Sequence, residues 1–261
     1  MVLRAIKTIA KIFIKFYLRK DKTSVVNGVY PRGKNFRGRI TLSKESSLKL
    51  GHNIKFDGKM WITNNSEVII EDGCEFENIS IIVDNRSKVF IGKNSFISPE
   101  FENPISIFIS NGTVRLEGAN RIACNIGVRF GGTLKMGSYT RIGNNSEIFC
   151  DESITIGAYG LFSYDVCIYD SDSHSTNWEK RRERIIAGHR IGTFEIKKPN
   201  TKPVIIGDDV WLGKGVTITK GTNIGNRCIV GIRTVVGGGA YPDDSSIVSN
   251  KPRVITKQIT P

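Results

Sequence analysis

Apolar and polar residues alternate along most of this chain, and the alternation recurs at a nearly fixed distance. SSLKLG (46–51), EVIIED (67–72), SKVFIG (87–92), GTVRLE (112–117), GTLKMG (132–137), SITIG (153–157), KPVIIG (202–207) and GTNIG (221–225) follow one template. A turn residue comes first, then an alternating apolar pair, then a glycine or an acid. The second apolar positions are Leu50, Ile70, Ile91, Leu116, Met136, Ile156, Ile206 and Ile224, separated by 20, 21, 25, 20, 20, 50 and 18 residues. A period of two within each unit excludes helix and predicts strands with one buried face. A unit of about 20 residues cannot bury that face alone, so the units must stack into a solenoid. The 50-residue interval reads as one unmarked coil plus an insertion of roughly 30 residues, over about 171–202. Leucine-rich repeats have a similar length, but their LxxLxL pattern is missing.

Composition agrees with many tight turns. The 261 residues hold 27 glycines against 8 prolines, and glycine and asparagine take left-handed turn positions at low cost. The five cysteines, at 74, 124, 150, 167 and 228, form no CxxC pair. They read as buried thiols in a reducing, cytoplasmic setting. Three histidines, at 52, 174 and 189, give poor support for a zinc site, so no metal is expected. His52 reads as structural.

The net charge of +13 is unevenly placed. Residues 1–40 carry eleven Lys/Arg and one acid, so +10 lies there and +3 in the remaining 221 residues. A nucleic-acid binder would carry its basic stripe on the folded domain, so nucleic acid is not an expected partner. Within residues 1–22, Arg4, Lys7, Lys11 and Lys15 fall on one helical face among Ile, Leu and Phe. No apolar run reaches the roughly 18 residues of a spanning helix, and no signal-peptide core is visible. The segment reads either as an amphipathic helix on an anionic membrane, at the inner face of the cytoplasmic membrane, or as a cap on the solenoid.

The stretch 203–236 contains the in-phase hexads IGDDVW, LGKGVT, ITKGTN, IGNRCI and VGIRTV. It resembles the hexapeptide-repeat acyltransferases, and YDSDSHS (169–175) is similar to the histidine loop of the subgroup that O-acetylates capsular and other surface polysaccharides. The resemblance is clear over about 130–255. It implies a left-handed parallel β-helix over 23–255, with 256–261 as a tail, a homotrimer with sites between subunits, and acetyl-CoA as acyl donor. It further implies that His174 is the general base and that Trp211 packs beside it against the acyl group. The backbone N–H of Lys214, after Gly213, would stabilise the oxyanion; Ile232 and Arg233 would meet the pantetheine arm; and Arg253 would lie near the coenzyme phosphate. The sequence departs from the family pattern at GIRTVV (231–236), GGGAY (237–241) and SNKPRVI (249–255), which bears on the coenzyme slot and on acyl chain length.

A hydroxyl attacking a thioester needs a base, an oxyanion donor and registration of the two reactants. Imidazole, titrating near pH ~6.5, suits the base. Asp170 and Asp172 flank His174, and one of them could orient its ring by accepting from Nδ1–H, as a backbone carbonyl could equally well. Asp170, Arg181 and Arg184 are candidates for contact with the acceptor, with the basic run 180–184 suited to an acidic sugar polymer. The leading expectation is O-acetylation of a surface polysaccharide or its precursor. Two alternatives stay open: N-acetylation of a nucleotide-linked amino sugar, and a non-catalytic glycan-binding solenoid.

Overall fold

The computed structural model describes residues 37–101, 103–188 and 197–249. The basic segment 1–22, His189, Arg253 and the tail 256–261 lie outside the described residues.

The repeat template maps onto one face of a parallel β-solenoid. Strands Ser47–Leu50, Glu67–Ile70, Lys88–Ile91, Thr113–Leu116, Thr133–Met136, Ser153–Ile156, Val204–Ile206, Thr222–Ile224 and Gly239–Tyr241 stack as a nine-stranded parallel sheet. In its register Leu50, Ile70, Ile91, Leu116, Met136, Ile156, Ile206 and Ile224 follow one another as direct partners. This is the first face. A second ladder, from Phe96–Ile97 to Ser246–Ile247, and a third, from Ile105–Ser110 to Val235–Val236, complete each coil. Lower in the stack, Lys55–Ile62 and Glu75–Asp84 are long enough to run through both. Glu75–Asp84 pairs with both Phe96–Ile97 and Ile105–Ser110, so the two ladders form one 16-stranded sheet.

Strand alternation sorts the side chains. On the second face Ile97, Ile122, Ile142, Phe162, Leu212 and Val230 point into the core, and Phe96, Arg121, Arg141, Leu161, Trp211 and Ile229 point out. Each buried aliphatic chain contributes about 1.5–3 kcal/mol as an upper estimate, so the inward rows of the three faces are the main source of stability.

Between faces the chain turns at three corners, A (first to second), B (second to third) and C (third to first). From residue 143 onward corner B is short and uniform: Asn145, Asp165, Gly215 and Arg233 sit at equivalent places with φ of 57°, 60°, 71° and 55°. Corner C holds the insertion. Ile156 pairs directly with Ile206, so the 50-residue interval is a single coil whose C corner is extended over 171–203. That extension contains a helix, α1, Trp178–Gly188. No described helix is long and apolar enough to cross a membrane.

Candidate functional site

The insertion is fastened to the coils by polar staples. Asp170, fully buried, accepts hydrogen bonds from the backbone N–H groups of Asp151, Glu152 and Ser153 at 2.8, 2.8 and 2.7 Å. Burial pushes its carboxyl up from the usual range, and the three N–H donors oppose that shift. Beside it, Arg129 binds buried Asp151 through two parallel bonds of 2.9 and 2.8 Å. Ser171 donates to Asp151 at 2.9 Å and accepts from the N–H of Ser173 at 3.3 Å. The stem closes where Ser171 bridges Thr201 and Asp172 N–H donates to the Asn200 carbonyl at 3.0 Å. Asp172 is also paired with Lys220, at the same corner one coil further along the chain.

His174 leaves this stem exposed to solvent. Asn177 caps α1, its side-chain oxygen accepting from Lys180 N–H at 3.0 Å. From α1, Arg184 reaches back and donates to His174 Nδ1. A guanidinium only donates, so the neutral ring in this pose carries its proton on Nε2. The place on Nδ1 expected for a flanking aspartate or a backbone carbonyl is held in this pose by Arg184. Arg181 donates to the carbonyls of Ser175 and Thr176 at 2.8 and 2.7 Å, which shapes the loop. Next to the stem, a cavity of about 850 Å³ is walled by Tyr169, Asp172, Ser173, Lys202, Thr219 and Lys220, among others.

The other predicted site residues gather elsewhere. Trp211 stands half exposed on the second face, between Leu161 and Ile229 in the outward ladder. Gly213, Lys214, Ile232 and Arg233 meet at corner B, where Arg233 N–H donates to the Lys214 carbonyl at 2.8 Å. Ile232 is 64% exposed, an unusual place for a large aliphatic chain. A Cβ on Gly213 would lie 2.8 Å from the Ile232 nitrogen, so glycine there allows the next coil to stack.

The structure thus divides the predicted residues in two. His174, Asp170, Asp172, Arg181 and Arg184 belong to corner C; Trp211, Gly213, Lys214, Ile232 and Arg233 belong to the second face and corner B. In a three-faced coil, corner C lies across the solenoid from the second face. Among the described residues no group of three His, Cys, Asp or Glu side chains is placed to hold a metal. His52 pairs with Asp72 at 3.3 Å, far down the stack. All five cysteines are free thiols, four of them buried. Burial pushes the Cys124 thiol up to about 12 and that of Cys167 up to about 11.

Sequence reasoning missed Arg129, Asp151, Ser171, Lys202 and Lys220. Their signal was present but weak: Asp151 and Ser171 are one coil apart, a spacing that places polar residues at the same corner.

No protein-family model matches the chain. Among curated proteins it is 29% identical over 119 residues to WbbJ of Escherichia coli (strain K12), which carries the provisional name of a lipopolysaccharide biosynthesis O-acetyl transferase. The match takes in 41% of this chain and 51% of that protein, so the chain spans about half the length of the curated relative. Among solved structures, the polySia-specific acetyltransferase NeuO overlaps with a TM-score of 0.49 at 22% identity, over 86% of this chain and 88% of its own. A hexapeptide-repeat-containing acetyltransferase of Vibrio cholerae O1 biovar eltor, complexed with acetyl coenzyme A, is 28% identical. It overlaps over 50% of this chain and 63% of its own, with a TM-score of 0.38. These TM-scores lie below 0.5, so the fold rests on the strand registers given above. With five hexads stacked in register and a curated O-acetyl transferase similar over its length-matched half, the chain resembles the hexapeptide-repeat acyltransferases.

Proposed function

We propose that the protein transfers an acetyl group from acetyl-CoA to a hydroxyl of a surface polysaccharide or its precursor, at a site shared between two copies of the chain. The observation that carries this reading is the separation just described. An exposed imidazole on a stapled loop occupies corner C, and the Trp211–corner B surface faces another way. Apposing corner C of one copy to the second face and corner B of another would complete the constellation. A homotrimer is the closed assembly that the family resemblance implies, giving three such sites. The exposed Ile185 and Ile186 of α1, both 70% accessible, suit burial against a second copy.

In this reading corner B holds the donor. Ile232 and Trp211 supply apolar surface for the pantetheine arm and the acyl group, and Arg233 supplies a cation. The Lys214 N–H is directed at the thioester oxygen as its charge develops. The acceptor hydroxyl attacks the thioester carbon while His174 Nε2 takes its proton. The tetrahedral intermediate collapses, the C–S bond breaks, and the imidazolium returns the proton to the thiolate. Products are the acetyl ester and free coenzyme A. For Nε2 to accept a proton the ring must carry its own on Nδ1, so Arg184 turns away from His174 in the working complex. Asp170 serves the loop by tying down three backbone amides.

The direct test is transfer of radiolabelled acetyl from acetyl-CoA to de-O-acetylated polysaccharide from the producing strain. Labelled polysaccharide whose label is released by mild alkali supports an O-ester. Alkali-stable label would point to an amide, and absence of transfer or of coenzyme binding would leave a glycan-binding solenoid.

A further inference from the structure

Resting on that reading, we propose that the cavity beside the His174 stem is the acceptor subsite, and that it takes one negatively charged sugar unit. Its floor is set by the outward ladder of the third face. Phe149 and Tyr169 stack there in consecutive coils, ring centroids 5.3 Å apart and 4° from parallel. The position that continues this register in the next coil is Thr219, because Cys167 pairs with Thr217 and Ile168 with Ile218. The aromatic ladder therefore stops, and Tyr169 meets a small side chain where a third ring would have stood. Tyr169 and Thr219 both line the cavity. An amphipathic ring of this kind offers an apolar surface next to polar groups, which matches the mixed faces of a pyranose.

The polar wall matches the rest of such a ligand. Ser173 brings a hydroxyl able to donate and accept, and the Thr219 hydroxyl, which donates to the Val236 carbonyl at 3.2 Å, brings an acceptor. Two lysines and one aspartate face the space. Lys220 is neutralised by Asp172. Lys202 is exposed and has no ion-pair partner among the described residues, which leaves the cavity one net positive charge. The Lys202 backbone is fixed, its N–H donating to the Asp170 carbonyl at 2.9 Å. A carboxylate on the sugar would meet that ammonium in a charge-assisted hydrogen bond. Asp172 and Ser173, which lie in this wall, immediately precede His174, so a unit seated here stands next to the base.

Binding of acidic oligosaccharides to the full chain, measured by titration calorimetry without acetyl-CoA, tests this. The probes are trimers of galacturonic, glucuronic and sialic acid, each beside its neutral methyl ester, with coenzyme A as a separate ligand. The expected result is that at least one acid binds about fivefold or more tightly than its ester, as one charge-assisted contact would give. That preference should vanish in Lys202→Gln, and Thr219→Phe, which refills the aromatic ladder, should weaken acid and ester alike. The proposal is overturned if no acid outbinds its ester or if the preference survives in Lys202→Gln. It is equally overturned if Lys202→Gln weakens coenzyme A alone, since the cation would then serve the donor. Thioester turnover is read independently: its absence with the acid preference intact would remove the transferase reading and leave the sugar subsite standing.

Discussion

Corners B and C of this solenoid are built by different physics. Corner B, from residue 143 onward, is one turn repeated coil after coil, its shape set by left-handed residues and coil-to-coil backbone hydrogen bonds. Corner C is regular in most coils and is opened once, where 171–203 leave the stack. Nothing in a repeat can hold that excursion, so it is held by a set of specific contacts: Asp170 on three amides, Arg129 on Asp151, Ser171 on Asp151. The comparison teaches where precision comes from in such a fold. A surface that must present backbone groups at a fixed spacing can use the repeat itself. A side chain that must stand clear of the stack needs a buried polar anchor, and a buried polar anchor is tolerated only when its partners are satisfied.

Breaking each side of this contrast gives graded effects. Removing the imidazole comes first: His174→Ala should lower acetyl transfer by about 10²–10⁴-fold with the coils intact. Initial rates and circular dichroism on the same sample check both halves of that statement.

Asp151→Asn cuts the anchor below the loop. It leaves the Arg129 guanidinium, 15% exposed, without its counter-charge, and breaking a buried pair in this way costs about 3–5 kcal/mol. The expected signature is faster proteolysis within 171–203 and a lower kcat, with the acetyl-CoA KM unchanged. A purely structural role would lower the melting temperature without that split between kcat and KM.

On the other side, Trp211→Ala should reduce kcat by about 10²-fold, the loss expected when a reacting group is misplaced by an ångström. Acceptor KM should move much less. Dissociation to monomers with unaltered per-site chemistry would instead make Trp211 an interface residue.

Gly213→Ala probes the repeat geometry of corner B and is the smallest change. Its Cβ would press on the Ile232 nitrogen, and overpacking of this kind costs about 1–3 kcal/mol. Thermal melting should show it, with the stability of the stem against proteolysis unaltered.

The two regions were also unequally legible. The first face could be read residue by residue, because Leu50 to Ile224 obey a spacing that only stacked strands satisfy, and every one of them lies in that ladder. The position of the insertion followed from the break in the same spacing. Its internal wiring did not. Arg184 lies ten residues from His174, and only the turn of chain before α1 brings the two together. Asp170 looked like a group facing the acceptor because it is acidic and next to the histidine loop, yet it points inward to the amides of the preceding coil. Lys202 and Lys220 are unremarkable lysines until the stem folds back and places them on one wall. Contacts within a repeat are encoded by period; contacts across an insertion depend on one particular loop path, which no period records.

The account stands on a working site that takes His174 from one chain and Trp211 from another. Mixing His174→Ala and Trp211→Ala chains tests this most directly, after joint unfolding and refolding, with two affinity tags to isolate mixed assemblies. Each variant alone should be impaired. In a one-to-one random mixture half of the chains carry an intact His174 and half an intact Trp211, so about a quarter of shared sites would be whole before the mixed assemblies are isolated. Every isolated mixed trimer has one whole site of its three, so the account predicts recovery of about a third of wild-type acetyl transfer in the mixed assemblies. Activity no higher than the average of the two separate variants, in assemblies shown to contain both tags, would place the whole site within one chain and contradict it.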